Sequence, residues 1–177
     1  HRAVSGGTGA SKAAGNYAAS LKAGKAAAEY GAAQVLYLDA NNKQIEEVGA
    51  MNHFHVLKDG SIIIPKFTDT ILKSITSQSI LDLGELLGCD VRQETVMLDK
   101  FISDIESGEI IEAGGFGTAA VVSPVGSYIF EDNRIVTVGD GEVGEHTKRI
   151  YKVLTEIQKG HIQGPEGWVQ HVKRVQS

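Results

Sequence analysis

Cysteine occurs once, at Cys89. One thiol cannot build an internal disulfide framework or a cysteine-rich metal site, and it fits a reducing compartment such as the cytoplasm. No run of Lys or Arg stands out, and the formal net charge is −5. That argues against nucleic acid or an anionic membrane as the main partner. No apolar run approaches the about 20 residues of a membrane-spanning helix. The first residues show no charged-then-apolar leader pattern. Repeats, low-complexity tracts and linkers are also missing. What remains is an ordinary globular composition, 42% hydrophobic and 22% charged over 177 residues. The length suits one domain, residues 1–177, able to bury a sizeable core. The chain opens His1-Arg2-Ala3-Val4 and reaches its most unusual stretch at once. The expectation is a piece of a longer protein.

The pattern along the chain predicts mixed α and β structure with hairpins, an α+β fold rather than a doubly wound parallel sheet. Residues 16–30 are Ala-rich and read as a helix ending near Gly31. Short strands follow at 34–39, 44–49 and 51–57. Asp59-Gly60 signals a hairpin before the strand at 61–64. Residues 74–87 read as one helix stopped by Gly88. A strand at 90–95 and a helix at 98–106 come next. The second strand-rich section covers 110–113, a small-residue bend at 114–117, then 118–123, 127–130 and 134–138. A final helix spans 145–158, and Trp168 reads as a packing anchor in the tail. His53 and His55 share one strand face. Two ligands are too few for a metal, so they are expected as strand-surface histidines with no metal.

Three glycine-rich places invite an anion. Around Lys12, GGTGASKAAGNY lacks the glycine before the lysine and the Ser/Thr after it that a Walker loop needs; Ser11 and Ala13 stand there. GDGEVG at 139–144 matches a dinucleotide fingerprint formally, but only 33 residues follow it. No acidic strand about 20 residues on is in sight. It reads as a glycine turn opening the last helix. GGFGTA at 114–119 reads as a kinked strand unless something anionic lies nearby.

Lys12 itself is the alternative reagent. Small neighbours leave room around an amine, and partial desolvation favours a neutral, nucleophilic form that can attack a carbonyl. Lys12-Ala13-Ala14-Gly15-Asn16-Tyr17, then Glu47-Val48-Gly49-Ala50-Met51-Asn52, then Gly117-Thr118-Ala119 fall in an ordered series. QVLYLDANNKQIEEVGAMN, GTAAVVSPV and the 156–160 segment EIQKG extend it. This series resembles the branched-chain aminotransferases, in the fold type IV group of pyridoxal phosphate enzymes, from Gly6 to about Trp168.

The resemblance implies the large domain of the D-amino acid aminotransferase-like fold, a short-stranded pseudo-barrel with flanking helices. It implies pyridoxal 5'-phosphate as cofactor, with Lys12 as nucleophile and proton carrier. Tyr17 would bond the cofactor's phenolic oxygen and Glu47 its pyridine nitrogen. Glu46 is the neighbouring competitor; alternation along a strand lets only one of the two face the ring. Backbone amides of Ile75 and Thr76 and the Thr118 hydroxyl would hold the phosphate. The substrate carboxylate would meet amides near Ala50 and Ala119. The complete enzyme would transaminate Leu, Ile or Val with 2-oxoglutarate, as a homodimer whose smaller amino-terminal domain is absent from these residues. That domain carries a phosphate-binding arginine, so these residues alone are expected to bind cofactor weakly and turn over little.

The sequence departs from that pattern in places. Leu72-Lys73-Ser74-Ile75-Thr76-Ser77 stands where the family's phosphate turn reads like LPGVTR. Ser74 could still cap the helix. Ala50 replaces a common threonine, and Gly114-Gly115-Phe116 an aliphatic-aromatic-glycine run. Alternatives on the same fold are a D-amino acid aminotransferase, an aminodeoxychorismate lyase, or a catalytically silent domain, for which the altered turn is the sequence support.

Overall fold

The computed structural model describes residues 1–170 and 172. It is an α+β structure built on one seven-stranded sheet. After α1 (Ala14–Ala18) and α2 (Ser20–Glu29) come β1 (Leu36–Leu38), β2 (Ile45–Val48), β3 (Met51–Leu57) and β4 (Ile62–Pro65), each antiparallel to the one before. The helical stretch expected at 16–30 is thus two helices meeting at Ala19. α3 (Ile75–Asp82) and α4 (Gly84–Leu87) cross over to β5 (Val91–Glu94), which lies parallel to β4. The single helix expected at 74–87 is interrupted at Leu83, and Gly88 ends it in the left-handed region, φ 63°. Next are α5 (Leu98–Glu106), β6 (Ile110–Gly117) and β7 (Val121–Pro124). A separate hairpin, β8 (Ser127–Ile129) with β9 (Ile135–Thr137), precedes α6 (Glu145–Gln158).

The pleat of β3 divides the core. It pairs with β2 and β4 along one edge and with β6 along the other. Phe54 and Val56 point into a cluster with Ile80, Leu83, Ile150 and Leu154 of the α3, α4 and α6 layer, and Trp168 packs against it as expected. Fully burying side chains of this size contributes about 1.5–3 kcal/mol each. The opposite face packs against α5 and the β8–β9 hairpin through Phe101, Ile102, Ile105 and Tyr128. The strand pairings among the described residues form an open sheet; they do not close into a barrel ring.

Two expectations need correction. Residues 114–117 are not a bend: β6 runs through them in register with β3, Phe54 opposite Gly114. Glycine is required there for space. A Cβ on Gly114 would lie 2.5 Å from the Ser123 carbonyl oxygen and 2.6 Å from the Phe54 ring. That ring instead stacks on Phe116, 4.2 Å between centroids. Secondly, His53 and His55 are not on the surface; α5 and the β8–β9 hairpin cover their face and both are buried.

The glycine turn at 139–144 opens α6, as expected, with Gly144 at its cap. The Glu112 carboxylate, from β6, accepts from the backbone amides of His146 and Thr147, at 2.9 and 2.7 Å, and from the Thr147 hydroxyl. An acceptor from another element thus does the capping. Among the described residues, no helix is long and apolar enough to cross a membrane.

Candidate active site

Antiparallel pairing brings the singled-out stretches to one end of the sheet. The β2–β3 turn holds Gly49 and Ala50, and the β6–β7 turn holds Thr118 and Ala119. Asn52 opposes Phe116, so the same register carried on sets Ala50 and Thr118 at a common end. Gly49 has φ 59°, which glycine adopts without the strain a side chain would add. Val121, just past the second turn, is held at φ 61°. A β-branched residue there is strained, and such strain is commonly kept at functional turns.

The lysine loop is tied down around a buried asparagine. Asn16 donates to the carbonyls of Thr8 and Ser11, at 2.7 and 2.8 Å, and accepts from the Thr8 hydroxyl. This folds residues 8–16 back on themselves and presents Lys12 between them. The loop is moored to the segment before α3. Ala10 donates to the Asp69 carbonyl at 3.0 Å, and Gly6 and Ser5 donate to the Asp69 carboxylate, each at 2.8 Å. Gly9 lies so close to Thr70 that a Cβ would clash at 2.6 Å. Lys12 is exposed, and Tyr17 is 36% exposed. These residues alone do not exclude water from the Lys12 amine.

Glu47 is the buried charge of the site. Its carboxylate pairs with the Arg2 guanidinium and accepts from the Leu72 amide at 3.3 Å and, at 3.4 Å, from the Asn52 side chain. Burial raises its carboxyl to about 7, with Arg2 offsetting only part of the effect. Arg2 also donates to the carbonyls of Thr70, at 3.0 Å, and Gly9. One guanidinium therefore clamps the lysine loop, the 66–74 segment and Glu47 together.

The expected alternation between Glu46 and Glu47 does not hold as burial. All four residues of β2 are buried. Glu46 accepts from the Thr70 hydroxyl, and burial raises its carboxyl too. Segment 70–72 packs close enough to serve both carboxylates. Only Glu47 bonds Arg2 directly, since Arg2 acts on Glu46 just as a nearby charge.

The start of α3 is capped by a side chain and leaves two amides open. Ser74 caps it as expected, its hydroxyl accepting from the Ser77 amide at 3.3 Å. Among the described residues, no acceptor lies on the amides of Ile75 and Thr76. Open amides at a helix start suit a phosphate.

Four residues of this arrangement were not singled out by sequence. Arg2 stands at the chain's edge, ten positions before Lys12, where no spacing rule marks it. Asn52 and Ser77 take part only through the tertiary contacts of β3 with α3. Tyr37 opposes Glu47 on β1, and burial raises its phenol.

Residues 7–128 match the family described as amino-transferase class IV. The chain belongs to that family. It is 46% identical over 168 residues to the probable branched-chain-amino-acid aminotransferase of Staphylococcus aureus (strain N315), covering 94% of this chain and 46% of that protein. Among solved structures, the branched-chain amino acid aminotransferase from Escherichia coli superposes with a TM-score of 0.81 at 32% identity, covering 98% of this chain and 55% of that one. The branched-chain amino acid aminotransferase from Thermobaculum terrenum, in its PLP-bound holo form, does so with a TM-score of 0.71 at 26% identity, over 91% and 49%. The chain spans about half the length of the curated relatives it matches. The fold type IV architecture expected from the motifs is therefore the one adopted.

Proposed function

We propose that this chain is the cofactor-binding part of a pyridoxal phosphate-dependent branched-chain amino acid aminotransferase, which moves the amino group of Leu, Ile or Val to 2-oxoglutarate. The observation that carries the proposal is a buried carboxylate, Glu47, tied through one arginine to the lysine loop and, through segment 70–72, set close to two open amides at the start of α3. The residues present fit pyridoxal phosphate. It needs an anion to keep its ring nitrogen protonated, donors for its phosphate, and an amine for its aldehyde. When bound, the cofactor supplies an electron sink and accepts the amino group.

The protein's own groups then divide the work. Glu47 would sit toward the ring nitrogen and, as the carboxylate, would favour its protonated form. Ile75 and Thr76 would donate backbone amides to the phosphate, joined by the Thr118 hydroxyl. Tyr17 would donate to the phenolic oxygen. Lys12 would supply the amine that takes the cofactor's aldehyde, with loss of water, and the same amine, when free, would carry a proton to and from the substrate carbon. Backbone amides near Ala50 and Ala119, on adjoining turns, take the substrate carboxylate. The smaller amino-terminal domain and a second copy of the protein complete the pocket and close it from water, in the cytoplasm. Ser74 compensates for the altered phosphate turn by capping α3, which favours a working site over a silent one.

The test is a pyridoxal phosphate titration followed by visible absorbance, then borohydride reduction and peptide mapping. We expect a saturable band and a reduced adduct on Lys12, with neither in Lys12→Ala. In the full-length protein, no saturable band, or an adduct on another lysine, overturns the proposal.

A further inference from the structure

Asn52 stands between the two ends of the proposed cofactor site. It is 4% exposed and lies on β3, opposite Glu47 of β2. Its side-chain amide nitrogen donates to the Leu72 carbonyl at 3.0 Å and toward Glu47 at 3.4 Å. Its side-chain oxygen accepts from the Ser77 hydroxyl at 3.0 Å. Ser77 is fully buried in the first turn of α3, directly after Ile75 and Thr76.

The donor and acceptor types fix the direction of this chain. The amide nitrogen faces the Leu72 carbonyl, which can only accept from it, and the Glu47 carboxylate, which accepts when ionised. The amide oxygen faces a hydroxyl that can donate. Flipping the amide would put oxygen against oxygen twice. A buried amide with every group satisfied holds one orientation, and in low dielectric its bonds respond to one another.

We propose that Asn52 and Ser77 are positioning residues, a buried relay that fixes the first turn of α3 relative to Glu47 and couples the phosphate-holding end of the site to the ring-nitrogen end. The inference rests on the function proposed above. It adds that the grip of the Ile75 and Thr76 amides depends on the state of the Glu47 carboxyl. A negative Glu47 pulls on the Asn52 amide and, through it, on Ser77. A protonated Glu47 releases that pull. Charge at the ring end thus reaches the phosphate end through this relay, beside the direct bond from the Leu72 amide to Glu47.

The unloaded protein reads the relay directly. In a pH titration by NMR, the Glu47 carboxyl carbon and the Ile75 and Thr76 amides are followed together. We expect all three to move with one midpoint. In Ser77→Ala the carboxyl should still titrate, because Arg2 and Leu72 remain, while the two amides follow it with a clearly smaller shift, carried by Leu72 alone. Pyridoxal phosphate affinity, from the visible band, should fall about tenfold for the lost buried bond. Asn52→Asp, nearly the same shape, should lose both coupling and affinity, since it sets an acceptor against two oxygens. Ser77→Thr keeps the hydroxyl and should retain the coupling. Amides that ignore Glu47 in the unaltered protein, or that follow it undiminished in Ser77→Ala, overturn the relay. An unaltered full-length protein without a saturable pyridoxal phosphate band overturns the proposed function instead, and the unloaded titration still decides the relay.

Discussion

The guanidinium of Arg2 lies against the carboxylate of Glu47, and the two side chains are only 8% and 7% exposed. Attraction between the partners and desolvation of both oppose each other here. The Glu47 carboxyl is raised rather than lowered, so desolvation wins. A carboxyl raised from 4.5 to about 7 binds its proton more tightly folded than unfolded. Its contribution to stability is therefore present below pH 4.5 and is lost as pH rises through 7.

Arg2→Ala should sharpen that loss. Without the guanidinium, the Glu47 carboxyl rises further and an ionised Glu47 is left buried and unpaired. At pH 8 the variant should be less stable by about 3 kcal/mol, with a smaller difference at pH 5, where Glu47 is largely protonated. Urea unfolding at the two values measures this. Equal losses at both would mean that Arg2 acts by packing the loops and not through Glu47.

His53 and His55 produce the opposite slope. The rings lie 5.8 Å apart and both pack against Phe101, at 5.2 Å. His53 meets the Tyr128 hydroxyl at 3.0 Å, and the Nδ1 atoms of both histidines have no partner among the described residues. Burial lowers His55 from 6.5 to about 4, with Asp104 working against the shift and Lys100 and Arg92 adding to it. Burial also lowers His53, and His55 adds to that. Here the unfolded chain binds more protons, so stability is lost as pH falls from 6.5 towards 4. The loss from His55 alone should reach about 3 kcal/mol at the acid end. His55→Phe should flatten that limb relative to the parent chain. An unchanged limb would mean that His55 is hydrated in the folded protein. Comparing variant with parent at each pH separates this slope from that of Glu47.

The cap on α6 offers a check on the fold itself. Glu112→Ala leaves the amides of His146 and Thr147 without their acceptor in a buried place. Unfolding free energy should drop by about 2 kcal/mol, with the loss in Glu112→Gln smaller because one acceptor oxygen survives. A loss of under about 0.5 kcal/mol in Glu112→Ala would show that water or backbone adjustment replaces the carboxylate.

Much of this was legible in the sequence. β3 and both α5 and α6 occupy the residues their periodicity marks, and Gly88 and Gly144 end and begin helices where expected. These are local features, decided by side-chain alternation and by backbone freedom at glycine. The glycines of β6 were misread because their reason is not local. Gly114 gives room to Phe54, and Gly115 to Val48 and Met51, all from neighbouring strands, and only strand pairing puts those side chains there. His53 and His55 were misplaced similarly. Alternation shows that they share a face but not that α5 and a distant hairpin cover it.

By itself the sequence determined β3, α5 and α6, the family series from Lys12 through Glu47 to Thr118, and a capping serine before α3. Tertiary structure alone decided what surrounds Glu47. Arg2, Leu72 and Asn52 lie 45, 25 and 5 positions away along the chain, and they meet at one carboxylate only after the sheet forms and the loops close over it. The ionisation of a buried acid depends on which partners and how much water reach it, and both are set by three-dimensional packing and not by neighbours in the chain.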